Sequence, residues 1–121
     1  MNTPLGFPKQ IRLRTQYEFD AVYQSEHFAA DNVLVISAAR NGLEQTRLGL
    51  SVSRKVGNAV VRNHWKRRIR ESFRLQQGEL PTGLDIVVRP RKGAEYDFDA
   101  IFQSLKKLCL RLDKKIPRDQ S

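Results

Sequence analysis

The chain has 121 residues and a single cysteine, with 22 Lys plus Arg against 13 Asp plus Glu, a net charge of +9. That length fits one compact domain and leaves no room for two. With 40% hydrophobic and 29% charged residues, the composition is that of a globular chain, not a disordered or membrane-spanning one.

Residues 1–10, "MNTPLGFPKQ", hold two prolines and a glycine and are expected to form a flexible arm. They lack the charged-then-apolar pattern of a secretory signal. The lone Cys109 excludes an internal disulfide or a multi-cysteine metal site, and it suits a reducing cytoplasm. A cytoplasmic protein with no membrane partner is the expectation.

Thr15 followed three residues later by Glu18 forms a capping box, and Phe19, Val22 and Tyr23 share one face of the short helix that follows. His27 to Ala30 reads as a short early strand. "NVLVISAAR" is a strand by its aliphatic and β-branched content. Asn41-Gly42 supplies a turn, and "RLGLSVS" alternates Leu48, Leu50 and Val52 with smaller or polar residues. These two strands are expected to pair as antiparallel neighbours. Asn58 is a good N-cap for a helix running to about Gln77, with Gly78 as its left-handed closing residue. "LDIVVRP" is a further strand stopped by Pro90, and Asp97 caps a last helix, "FDAIFQSLKKLCLRL". The expected layout is a domain over 11–112 followed by a polar tail, 113–121. Its elements run in the order αβββαβα, an α/β (α+β) two-layer sandwich of one sheet with helices packed on it.

The charge is concentrated. Between Ser53 and Arg74 lie Arg54, Lys55, Arg62, Lys66, Arg67, Arg68, Arg70 and Arg74 against Glu71 alone, seven of the nine net positive charges. A solvated helix face normally mixes signs, whereas a localised basic patch is the footprint of a polyanion binder. At about 100° per residue, Val61, Trp65, Ile69 and Phe73 form an apolar arc. Arg62, Lys66, Arg70, Arg74 and Arg67 form the adjoining arc together with Asn63, and Arg68 and Glu71 fall outside both. The apolar arc would fix the helix to the sheet and present the cations on a rigid surface. Trp65 reads as core, not as a base-stacking platform. Gly57 and Asn58 form a tight turn whose free amides, at the positive end of the helix dipole, favour a phosphate. Arginine's planar fork suits phosphate oxygens better than lysine does.

"KVGNAVVRNHWKRRIRE", Lys55 to Glu71, resembles the signature of the bacterial ribonuclease P protein component, K-x-G-N-A-x-x-R-N-x-x-K-R-x-x-R-E, at every fixed position. "EFDAVY", "RLGLSVS" and "DIVVRP" extend the likeness over roughly residues 11 to 112. The resemblance implies a ribonucleoprotein subunit that helps remove the 5′ leader from precursor tRNA. Its partners would be the catalytic RNA and the precursor tRNA, with no protein partner required. Magnesium and the chemistry would belong mainly to the RNA. Carried over by position, the RNA contacts would be Arg54, Lys55, Asn58, Arg62, Asn63, Lys66, Arg67 and Arg70. Phe19 and Tyr23 match the aromatic positions of a leader-binding cleft, although helical periodicity alone reads both as core. The resemblance also implies a mixed sheet with a left-handed βαβ crossover. Two departures stand out. His64 occupies a position where many relatives carry Arg, and "QSEHF" lacks the glycine that usually follows the first helix.

No catalytic site emerges from the residues themselves. His27 and His64 sit in no nucleophile or ligand motif. Asp31 and Asp85 are scattered acids, and Cys109 lies in the apolar arc of the last helix. The alternatives are a general or ribosome-associated RNA-binding module, a stand-alone nuclease and, more weakly, a DNA-binding protein.

Overall fold

The computed structural model describes residues 11–118; the expected arm at 1–10 and the end of the expected tail lie outside the described residues. The elements are α1 (Gln16–Gln24), β1 (Phe28–Ala30), β2 (Leu34–Arg40), β3 (Arg47–Leu50), α2 (Ala59–Leu75), β4 (Leu84–Pro90) and α3 (Phe98–Lys115), with short 3-10 turns at Arg54–Val56 and Gln77–Glu79. One mixed sheet runs in the order β1-β2-β4-β3. β2 pairs antiparallel with both β1 and β4, and β3 pairs parallel with β4.

The core follows from side-chain alternation along the strands. Leu34, Ile36 and Ala38 of β2, Leu48 of β3, and Leu84, Ile86 and Val88 of β4 point to one face. There they meet Trp65, Ile69 and Phe73 of α2 and Ile101, Leu105, Leu108 and Leu112 of α3. The opposite face is partly covered by α1, where Leu13, Phe19 and Val22 pack on Val87. Thus α2 and α3 form the main helical layer, and the short first helix shields part of the other side.

The expected hairpin between β2 and β3 does not form, because β4 lies between them. Ile86, Val87 and Val88 are all fully buried, so β4 is apolar on both faces and takes the central place. The Asn41-Gly42 segment instead wraps the start of β4. Asn41 Nδ2 donates to Asp85 Oδ1 at 2.9 Å and the Asn41 backbone N–H to Gly83 O at 3.0 Å. Thr46 Oγ1 donates to Pro81 O at 2.6 Å and accepts from Leu84 N–H at 3.1 Å. β3 must then reach β4 in parallel, which requires the long crossover through α2. The outer edge of β3 is covered by the chain before α1: Arg12 bridges Leu48, and Leu13 N–H donates to Leu48 O at 2.9 Å.

Two helix ends differ from expectation. α2 stops at Leu75, and Gly78 takes no left-handed conformation. The buried Gln76 ends the helix instead, its Nε2 donating to Phe102 O at 3.0 Å while a 3-10 turn tightens the chain. α3 runs on to Lys115, and Ile116 beyond it is buried. Arg40 holds this end, donating to Asp113 Oδ1, Asp113 O and Ile116 O at 2.8 Å each.

The capping box of α1 is present. Thr15 Oγ1 accepts from Glu18 N–H at 3.1 Å, and Glu18 Oε1 accepts from the backbone N–H groups of Arg14 and Thr15 at 2.7 and 3.0 Å. Those backbone N–H groups, Arg14's first, hold the Glu18 carboxyl below its ordinary 4.5. Its contribution to stability is therefore present above that value and lost as the pH falls through the folded pKa. Replacing Glu18 with Ala should cost about 1 kcal/mol at neutral pH, and the gap to wild type should close in denaturation curves taken progressively below pH 4.5.

After α1 the chain turns at Glu26, whose φ of 62° is the one left-handed non-glycine conformation among the described residues. Ser25 secures the turn, its Oγ lying 2.7 Å from both Val22 O and Ala38 O, and β1 forms in spite of the missing glycine. Holding a residue with a Cβ in this region costs roughly 1 kcal/mol. Glu26→Gly should raise the melting temperature by a few degrees, about 2–5 °C for a domain of this size; an unchanged or lower midpoint would mean the turn is unstrained.

Candidate nucleic-acid interface

The site starts with the loop that launches α2. Ser53 Oγ accepts from Lys55 N–H at 3.2 Å and closes a 3-10 turn. Gly57 then adopts φ 150° and ψ −173°, a region open essentially to glycine. A Cβ there would lie 2.8 Å from Val61 Cβ and Cγ1. Asn58 caps the helix, its Oδ1 accepting from Val61 N–H at 3.0 Å. Its carboxamide oxygen is thus committed to the fold, while its NH2 group remains available.

α2 is divided as its sequence implies. Trp65 is 1% exposed, which makes it core and not a stacking platform, and Ile69 and Phe73 are fully buried beside it. Each such side chain stabilises by about 1.5–3 kcal/mol, whereas like-charge i,i+4 repulsion costs only tenths of a kcal/mol per pair. Packing therefore wins, and the helix keeps its cations. Arg54, Lys55, Asn63 and Arg67 are exposed, and Arg62, Lys66 and Arg70 are half-buried. None of these six cations has a carboxylate partner among the described residues. The Nε of Arg62 is buried without a hydrogen-bond partner. Desolvation first, and the nearby Arg12 charge second, lower the pKa of Arg70.

Arg74 departs from the group, since it pairs with Glu71 at 2.6 Å within its own helix. Arg68 also turns aside. Its guanidinium carbon stands 5.0 Å from the centroid of Tyr96, whose ring stacks on His64 at 5.1 Å and 11°. His64 thus buttresses the loop before α3 and does not extend the cation row.

The sequence-predicted aromatic pair is split in character. Phe19 is half-buried and packs against Leu13, Val22 and Val87; its Cζ lies so close to the sheet that a Cβ on Gly49 would approach it to 2.8 Å. Tyr23 is 38% exposed, with the Arg89 guanidinium 6.0 Å from its ring centroid. Periodicity therefore describes Phe19 well, while Tyr23 stands beside a cation on the part of the sheet face that α1 leaves open.

The remaining chemistry-bearing groups hold the fold. Arg47 donates to both oxygens of Asp85 at 2.8 Å and reaches Glu18 at 3.5 Å. Hydrogen bonding to Asp85 is the main reason its own pKa is raised. Asp31 accepts from Val33 N–H at 2.8 Å and Leu34 N–H at 3.0 Å. Burial works against its ionisation, yet the Leu34 bond and its neighbours bring the carboxyl below its usual range. Burial pushes the Cys109 thiol up to about 12. Sequence reasoning missed Arg12 and Arg14, which line a hollow beside Lys66 and Arg70. The signal was the apolar-polar-apolar run Ile11-Arg12-Leu13, which marks a strand-like segment at a sheet edge.

A mixed sheet that anchors a basic helix, most of whose cations have no carboxylate partner among the described residues, defines a small α+β protein built to face a polyanion. The family model for ribonuclease P matches residues 7–113. The ribonuclease P protein component of Photobacterium profundum is 39% identical over 111 residues, covering 91% of this chain and 94% of that protein. That of Thermotoga maritima is 37% identical over 112 residues, covering 92% and 96%. A Staphylococcus aureus RNase P protein of known structure superposes with a TM-score of 0.74 at 34% identity, covering 86% of this chain and 95% of that one. The chain belongs to the ribonuclease P protein family. As a member it is a subunit of an RNA-processing endonuclease and acts with an RNA subunit in 5′-leader removal from precursor tRNA.

Gly57→Ala should destabilise the protein by about 1–3 kcal/mol, read as a lower midpoint in urea, because the added Cβ meets Val61 and the backbone angle resists it. A wild-type midpoint would show that the loop can relax without the glycine.

Proposed function

We propose that the chain docks on the RNA subunit through Arg54, Lys55, Arg62, Asn63, Lys66, Arg67 and Arg70, with the Gly57–Asn58 turn offering backbone amides to a phosphate. Phe19 and Tyr23 line the surface for the single-stranded leader, with Arg89 beside Tyr23 as an added cation. The observation that carries this reading is the set of six cations without carboxylate partners among the described residues, held on one loop and one firmly packed helix. Arg74, tied to Glu71, contributes local potential more than a contact.

On this reading the protein binds and orients, and the RNA subunit carries the cleavage with its magnesium ions. Among the described residues no group of three or more His, Cys, Asp or Glu is arranged to hold a metal ion. Asp31, Asp85 and Asp113 are each engaged by a Lys or Arg. No side chain is assigned to the bond-breaking step. Holding leader and RNA subunit in fixed relation lowers the entropic cost of alignment. A reducing cytoplasm remains the proposed compartment; among the described residues no helix is long and apolar enough to cross a membrane.

Reconstitution tests the reading. Added to a bacterial ribonuclease P RNA at low magnesium, the protein should accelerate precursor tRNA cleavage; an unchanged rate would favour a general RNA-binding module. With about six phosphates contacted, the log–log salt dependence of RNA-subunit binding should have a slope of about −4 to −5. Each of Arg62, Lys66, Arg67 and Arg70 replaced by Ala should make the slope shallower by about 1. A flat response in the wild type would defeat the electrostatic account.

A further inference from the structure

β3 and β4 run parallel, and the loops that leave their carboxyl ends, 51–58 and 91–97, lie side by side before they enter α2 and α3. Between them the surface opens into a hollow of about 710 Å³ whose lining includes Val56, Val61, Trp65, Arg68, Glu95 and Tyr96. That volume is ordinary for a small-ligand site, and the carboxyl ends of parallel strands are where α/β sheets hold ligands. None of the lining residues belongs to the cation row of α2 or to α1.

The walls are set in advance. Tyr96 is held by His64, stacked at 5.1 Å and 11°, by the Arg68 guanidinium at 5.0 Å and by Trp65, edge-on at 6.2 Å and 71°. With Val56 and Val61 these rings make an apolar and aromatic surface that suits a flat ring. The polar groups narrow the choice. Arg68 is the one cation among the described residues of the lining, and Glu95 is exposed with no ion-pair partner among the described residues. Asp97 is spent capping α3, its Oδ2 accepting from Ala100 N–H at 2.9 Å. A phosphate here would face the charge of Glu95, so the hollow does not suit a nucleic-acid backbone. A neutral base suits it. Guanine alone among the four bases has two adjacent donors, N1–H and the N2 amino group, that match both oxygens of a carboxylate. Its O6 can accept from a guanidinium.

We propose that this hollow holds one unpaired guanine of the RNA subunit, with Glu95 and Arg68 as binding residues and Tyr96 and Trp65 as its walls. Val56 immediately precedes the Gly57–Asn58 turn, so a strand whose phosphate sits on that turn passes the mouth of the hollow. Unpaired bases are where proteins read RNA sequence, by stacking and by hydrogen bonds to the base edge. The proposal rests on the RNA-binding reading above and adds to it a base-specific contact on the other flank of α2, where that reading has backbone contacts only.

The test uses the full-length protein carrying Glu95→Gln and a bacterial ribonuclease P RNA. Removing a negative charge beside a polyanion tightens binding by itself. Loss of the guanine contact should instead weaken binding about ten-fold. A second measurement treats the RNA, at saturating protein, with a glyoxal reagent that adds across N1 and N2 of unpaired guanines. One guanine that reacts in the free RNA should be protected by the wild type and reactive again with Glu95→Gln. Equal or tighter binding by the variant, or no guanine whose protection depends on Glu95, would overturn the proposal. Wild-type protein that fails to bind the RNA would instead defeat the broader reading.

Discussion

Everything in this molecule depends on the seam where Trp65, Ile69 and Phe73 press α2 against the sheet and α3. Without it, a helix carrying so many like charges would have little reason to stay ordered, since among the described residues Glu71 alone pairs with a cation of the helix. The burial of these side chains is non-directional and is not screened as ion pairs are, so it can hold α2 while leaving the cations of the adjoining arc, Arg74 apart, without carboxylate partners among the described residues. Rigidity matters to function here. Cations on a fixed helix meet phosphates without first losing the freedom of a flexible chain, and a polyanion can then be bound in one orientation.

The sheet supplies a second level of organisation. The central β4 is apolar on both faces, which forces β3 to the far side and sends the chain through α2 before it can return. The basic helix is therefore clamped at both ends by strands of one sheet. Arg47 braces this arrangement from the other face, since its bonds to Asp85 tie β3 to β4 and its reach to Glu18 extends to α1. The aromatic side of α1 and the basic side of α2 thus share a strand edge, and the two proposed RNA-facing surfaces keep a fixed spacing.

Much of this was legible in the residues. The capping box of Thr15 and Glu18, the N-caps Asn58 and Asp97, and the division of α2 into apolar and basic arcs are local features written at short spacing. What misled was tertiary in origin. Asn41-Gly42 carries a genuine turn signal, yet the segment wraps the start of a strand that comes more than forty residues later. Local chemistry cannot report that insertion. Gly78 resembled a helix cap, but the bond from Gln76 to Phe102 O on α3 ended the helix in another way. Likewise Arg74 belonged to the right arc by angle and left it through Glu71, three residues away, a pairing that helical spacing allows but does not require. Arg12 and Arg14 were overlooked because a short segment beside a sheet edge gains meaning only once the edge is known.

Cys109 has a consequence of its own. It is the sole cysteine of the chain, sealed among the apolar side chains of α3 and kept as the protonated thiol by its surroundings. A buried thiol in that state is a poor nucleophile, so alkylating and disulfide-forming reagents should modify the folded protein only slowly. A single cysteine introduced anywhere on the surface would then carry a dye, a spin label or a cross-linker at one known point. The buried sulfur thus makes the native chain a clean background for mapping, by proximity chemistry, how this subunit sits on its RNA.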